Sequence, residues 1–205
     1  MPRLSEQYIV SLTTPVLKEE VRRAVFSMKS YKVPDSNGFQ PIFFKHFWGR
    51  IGDDIWHLMH TAFNMDTINA SIVETLIVLI PKESNPQRLK NFGPISLCNV
   101  IFKVIIKNLV SHLQPFLVDL ISPLQCSFIP ARGTTDNAIL VQEVVHFIHH
   151  SCAKKGSIAF KIDLEKACDR LNWDFLELTL HDFGFPPATI SFIMSCVRSS
   201  NLSIL

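Results

Sequence analysis

Residues 160–173 read Phe160-Lys161-Ile162-Asp163-Leu164-Glu165-Lys166-Ala167-Cys168-Asp169-Arg170-Leu171-Asn172-Trp173. Just upstream, Ile158, Phe160 and Ile162 alternate with Ala159 and Lys161. That period of two predicts a strand over 158–164, with an acid near its end. Trp173 then opens a helix over 173–183, stopped by Gly184, and Pro187 opens another to 197. A carboxylate at the end of a buried strand, ahead of a turn into a helix, is a place where enzymes hold a metal. Magnesium favours such hard oxygen ligands and keeps waters and substrate phosphates in its shell. Taken alone, an acid at a strand end is more often a helix cap or a surface charge. Asp169, inside the turn, would cap the following helix or pair with Arg170. Trp173 reads as a core anchor.

Working upstream, Thr75-Leu76-Ile77-Val78-Leu79-Ile80-Pro81-Lys82 is short, apolar and closed by proline. It predicts a buried strand. Residues 84–90 are polar and turn-like, so Ile95-Ser96-Leu97 can return as the second strand of a hairpin. Ile101, Ile105, Leu109 and Leu113 share a helix face, and Pro115 is expected to end that helix. Residues 123–134 read as irregular. Thr135 or Asp136 would cap a helix running to about His150, with Leu140, Val144 and Ile148 inward. Nearer the N-terminus, Thr14-Pro15 would open a helix along Leu17, Val21, Val25 and Met28. Residues 32–38 form a turn-rich break, and 41–48 and 51–63 read as two more helices. The pattern is α+β, with helices around a small, mostly antiparallel sheet.

Composition narrows the class. Hydrophobic residues make up 47% of the 205 and charged residues 19%, so this is a core-forming sequence. The formal net charge of +2 permits nucleic acid as a partner without arguing for it. Five cysteines, none at CxxC spacing, point away from a zinc knuckle or disulfide framework and towards a reducing compartment. The polar start lacks a signal-peptide core, and no apolar run reaches the ~18 residues of a membrane span, so no membrane partner is expected. His146 and His150 sit one helical turn apart in HxxHH; with no third ligand in view, they read as a solvated helix face.

The stretch around Asp163 resembles motif A of reverse transcriptases in plant LINE-type (non-LTR) retrotransposons, KiDleKAyDrvnW, against KIDLEKACDRLNW here. Other blocks resemble the same family in the same order. Ile80-Pro81-Lys82 is similar to its IPK. Residues 91–100, NFGPISLCNV, are similar to its fRPISLcNv. Lys103, and residues 121–132, ISPLQCSFIPAR, resemble its K and its lIs..QsaFvpgR; Asp136-Asn137 fits its DN. Residues 32–39 look like a worn KAPGPDGF turn.

The resemblance implies a partial right-hand polymerase. Residues 1–70 would be a helical N-terminal region, 71–150 fingers-like, and 151–205 a truncated palm start carrying motif A. Asp163 would be the catalytic metal ligand, with the Leu164 carbonyl beside it. Lys82, Gln125, Arg132 and Cys168 would meet the incoming nucleotide, and Phe128 would either approach the template or pack in the core. The intact family uses two Mg²⁺ ions, with Mn²⁺ a possible substitute, and this chain would hold them weakly. The partners implied are an RNA template, a DNA primer and a deoxynucleoside triphosphate. Oligomeric state and compartment are left open.

Three departures stand out. The family's Arg in fRPISL is Gly93, which removes the triphosphate contact the resemblance implies there. The aromatic sugar gate of KAYD is Cys168, far smaller. No Y/F-x-D-D motif, the second metal site, occurs anywhere in the 205 residues. The expectation is therefore a reverse transcriptase fragment that is inactive by itself. Two other readings are a non-catalytic remnant that binds RNA weakly and a relative of group II intron maturases, which the KIDLEKA and PISLCNV blocks fit less well.

Overall fold

The computed structural model describes residues 2–34, 37–65, 68–151, 156–162, 170–198 and 201–204. Five helices come first: α1 (Glu6–Leu12), α2 (Lys18–Phe26), α3 (Pro41–His46), α4 (Trp48–Met65) and α5 (Ala70–Val73). A hairpin of β1 (Thr75–Pro81) and β2 (Phe92–Cys98) follows, then the long α6 (Val100–Leu120). After an irregular stretch come α7 (Thr134–His150), α8 (Trp173–Asp182), α9 (Pro187–Arg198) and the short β3 (Leu202–Ile204).

The sheet order is β2-β1-β3. β1 pairs antiparallel with β2 from Thr75↔Cys98 to Pro81↔Phe92, and parallel with β3 from Thr75↔Leu202 to Ile77↔Ile204. The sheet is therefore mixed, where the sequence suggested a mostly antiparallel one. The parallel strand was not legible because three residues, Leu202, Ser203 and Ile204, carry no period.

Two apolar clusters hold the chain together. The first joins Val21 and Val25 of α2, Ile55 and Met59 of α4, Val104, Ile105 and Leu109 of α6, and Phe192 and Cys196 of α9. The second gathers Leu4, Phe116, Leu120, Phe185, Ile190 and Met194. It draws the N-terminal segment onto the far end of the chain: Leu4 N–H donates to the Phe183 carbonyl at 2.9 Å, and the Tyr8 hydroxyl donates to Asp119 Oδ2 at 2.5 Å. α9 contributes to both clusters, and so does the longer α6. It starts where Asn99 Oδ1 accepts from Ile101 N–H at 2.8 Å.

Pro115 does not end this helix, contrary to the sequence expectation; α6 runs on to Leu120. An interior proline costs about 3 kcal/mol in a helix. Burying Phe116 and Leu120 returns roughly 1.5–3 kcal/mol each, so continuing the helix is the lower-energy choice. At 21 residues α6 is also long and apolar enough to cross a membrane, which the sequence reading did not foresee. Its eight buried residues mark it here as a core helix.

Other local expectations shift. α2 begins at Lys18 rather than beside Pro15, because Glu20 Oε2 reaches back to accept from Leu17 N–H at 2.9 Å. α7 starts at Thr134 with Gly133 at its N-cap, ahead of Thr135 and Asp136. No residue of α7 is buried: Leu140 and Val144 are exposed and Ile148 half-buried, so the predicted inward face is not packed into a core. Trp173 is more exposed than a core anchor. Gly184, at φ +80°, ends the α8 turn as its left-handed backbone permits.

The predicted strand at 158–164 is not formed over its described part, 158–162. Ile158, Phe160 and Ile162 are 78%, 82% and 84% exposed. A strand needs a neighbour to satisfy its N–H and C=O groups, and none lies alongside among the described residues. Amide hydrogen exchange should show strong protection at 76–80 and rates near those of an open chain at 158–162. Equal protection of the two segments would show that this part pairs after all.

Candidate nucleotide and nucleic-acid interface

The β1–β2 ladder sets the geometry of the first candidate region. Its last pairs are Ile80↔Gly93 and Pro81↔Phe92, and one further bond from Lys82 N–H to the Asn91 carbonyl, at 2.8 Å, closes the hairpin. Lys82 and Asn91 therefore form the base of an exposed loop. Three cations, Lys82, Arg88 and Lys90, face one acid, Glu83, around a concavity of about 590 Å³. Concave cationic loops collect phosphate groups by charge and by N–H donors. Asn91 Oδ1 is shielded from solvent and meets no donor. Lys82 was named from the sequence; Arg88 and Lys90 were missed, although three cations within nine residues were a readable signal.

Gly93 lies directly across from this site. A Cβ placed on it would stand 3.4 Å from Lys82 Cε. A side chain at position 93 would thus share space with the stem of Lys82, and its absence lets Lys82 lie against the strand.

The second candidate region is the loop at 121–133. Arg132 organises it. One guanidinium nitrogen donates to the carbonyls of Ser122 and Gln125, at 2.6 and 2.9 Å, and the other to Val118 and Ile121, at 2.8 and 3.1 Å. The fork thus joins the end of α6, through the Val118 carbonyl of its last turn and that of its C-cap Ile121, to the loop carbonyls of Ser122 and Gln125. Cys126 Sγ donates to Asn137 Oδ1 at 3.2 Å and ties the loop to α7. Between these anchors Phe128 and Ala131 adopt left-handed backbones, φ 66° and 60°. Each costs about 1–2 kcal/mol for a residue with a Cβ. Gln125 stays exposed, its Nε2 donating to the Ser127 carbonyl at 3.4 Å.

The sequence profile of the family described as reverse transcriptase (RNA-dependent DNA polymerase) matches residues 80–203. That is more than half of the chain. The chain belongs to the reverse transcriptase family. The matched span of this reverse transcriptase begins at Ile80, beside the basic loop, and takes in the Arg132 loop and most of β3. Among relatives, the transposon TX1 uncharacterized 149 kDa protein of Xenopus laevis is 29% identical over 201 residues, 98% of this chain and 15% of its own length. The retrovirus-related Pol polyprotein from type-2 retrotransposable element R2DM of Drosophila melanogaster is 26% identical over 127 residues, 62% of this chain and 12% of its own length. The reverse transcriptase chain thus spans under a sixth of either relative.

Asp163, Leu164 and Cys168 lie outside the described residues. Among the described residues no group of three His, Cys, Asp or Glu could hold a metal. His146 and His150 stack at 4.1 Å, and His150 Nδ1 is 3.0 Å from the His146 carbonyl, a helix-face arrangement. Burial pushes the Cys196 thiol up to about 11, so it stays protonated in the core.

The Ala131 strain and the Arg132 anchor make opposite predictions for urea unfolding. Ala131→Gly should stabilise by about 0.5–1 kcal/mol, since glycine takes the left-handed backbone freely. Arg132→Met should destabilise by about 1–2 kcal/mol through the loss of the guanidinium bonds, most of whose carbonyls can turn to water. A neutral result for Arg132→Met would show that its four bonds do not hold the loop.

Proposed function

We propose that this chain is the front part of the RNA-directed DNA polymerase domain of a LINE-type, non-LTR retrotransposon. In this reading residues 71–150 are fingers-like and 151–205 begin the palm. The observation that carries it is the cationic concavity of Lys82, Arg88 and Lys90, which lies at the start of the reverse-transcriptase match. The near-complete motif KIDLEKACDRLNW supports the LINE-type assignment, as do the printed names of the two relatives, a transposon and a retrotransposable element. The basic loop would hold the triphosphate of an incoming nucleotide, or the phosphates of a template strand, by charge.

Asp163, with the Leu164 carbonyl, would offer oxygen ligands of the kind Mg²⁺ takes. When bound, such ions stabilise the attacking and leaving oxygens of an in-line displacement. One carboxylate and one carbonyl leave most of the shell to water and substrate, so this chain alone would hold the metal weakly. With no Y/F-x-D-D motif in its 205 residues, the isolated chain would not polymerise.

A second reading, a non-catalytic remnant that binds RNA weakly, is favoured by Gly93. The position beside Lys82 that would carry a second cation is bare.

Affinity for single-stranded RNA measured against salt tests the proposal. Three phosphate contacts give a log–log slope near −2. Substituting Lys82→Gln, Arg88→Gln and Lys90→Gln together should abolish most of the binding. Unchanged affinity would remove the hairpin from the site. An oligo(rA)–dT primer assay with Mg²⁺ or Mn²⁺ should show no extension; extension that vanishes with Asp163→Ala would overturn the claim of inactivity.

A further inference from the structure

Phe128 is the most exposed of the large apolar residues among those described, at 95%. The exposed apolar side chains of α7, such as Leu140, Val144 and Phe147, recur at helical spacing and make up one element's face. Phe128 belongs to no such face. It stands in a loop with Leu124, 76% exposed, and the exposed polar residues Gln125 and Ser127 before it. Its backbone is left-handed, a conformation that bulky residues rarely adopt. Strained backbone persists where the surroundings impose it, and it concentrates at binding sites.

The surroundings here do impose it. Arg132 clamps the carbonyls of Val118, Ile121, Ser122 and Gln125, and Cys126 is bonded to Asn137 of α7. Phe128 lies between these two anchors, so a nearly bare ring is held out by a loop that is fixed at both ends. Docking another protein would call for a contiguous apolar patch. Stacking a base needs only one ring face, and every base offers a π-face, so such contacts tolerate any sequence. A ring positioned in advance also spares the ordering cost on binding.

We propose that Phe128 is a base-stacking residue for single-stranded nucleic acid, and that Arg132 acts as its positioning residue rather than as a nucleotide contact. This deepens the polymerase reading above and rests on it. It assigns to the loop a sequence-tolerant grip on bases, beside the phosphate grip assigned to the hairpin.

The test uses the full chain and oligo(rU). Phe128→Ala should weaken binding roughly tenfold with an unchanged salt slope and unchanged circular dichroism, because the ring touches little of the protein. Phe128→Trp should keep the affinity and add a fluorescence signal that RNA quenches, read against wild-type protein with its own three tryptophans. Combining Phe128→Trp with Arg132→Lys, which keeps the charge but not the fork, should lose that quenching. Three outcomes would overturn the proposal. Binding that persists in Phe128→Ala, with no quenching in Phe128→Trp, removes the stacking role and leaves the hairpin reading intact. Absence of RNA binding by every form removes both. A changed sedimentation coefficient for Phe128→Ala with RNA affinity unaltered makes the ring a protein contact.

Discussion

The structure depends on one helix continuing where its sequence says stop. α6 runs through Pro115 and so reaches from the first apolar cluster to the second. Had it ended at the proline, Phe116 and Leu120 would have lost their places, and with them the site where Leu4, Phe185, Ile190 and Met194 converge. The same continuation fixes where the carbonyls of Val118 and Ile121 lie, and those are two of the four that Arg132 grips. A packing choice in the core thereby sets the geometry of an exposed loop.

The hairpin depends on a different constraint, the register of β1 and β2. Ile80 opposite Gly93 and Lys82 bonded to Asn91 bring the loop's three cations together. The two candidate regions thus rest on different forces, a ladder of backbone bonds for one and a buried helix with a guanidinium clamp for the other. That division of work matches their proposed roles, charge towards phosphates and an aromatic face towards bases.

Where the sequence was legible, the cause was local. β1 is a run of β-branched and leucine residues closed by proline, and the face Ile101, Ile105 and Leu109 repeats at helical period; both elements form, although β1 is half-buried or exposed beyond Thr75 rather than the buried strand expected. Gly184 ends α8 as expected, but the cap is Asn172, which accepts from Asp174 and Phe175 N–H, where the sequence pointed to Asp169. Where the sequence misled, the cause was non-local. Among the described residues, the alternation at 158–162 has strand period but forms no strand, α7 has a helix pattern but buries no residue, and Pro115 is overruled by residues beyond it. Of the candidate site, Lys82 was named from its motif, whereas the four carbonyls that Arg132 binds could not be read from sequence. A guanidinium spent on four carbonyls is indistinguishable in sequence from one kept for a phosphate.

The central claim is that this reverse-transcriptase chain meets nucleic acid through the basic hairpin and the Arg132 loop. Photo-crosslinking of a single-stranded RNA carrying 4-thiouridine, with the attached peptides mapped by mass spectrometry, tests it most directly. The account predicts crosslinks concentrated in residues 82–91 and 122–132, lost with excess unlabelled RNA. Crosslinks confined to the α2–α6 face, or scattered without preference, would contradict it.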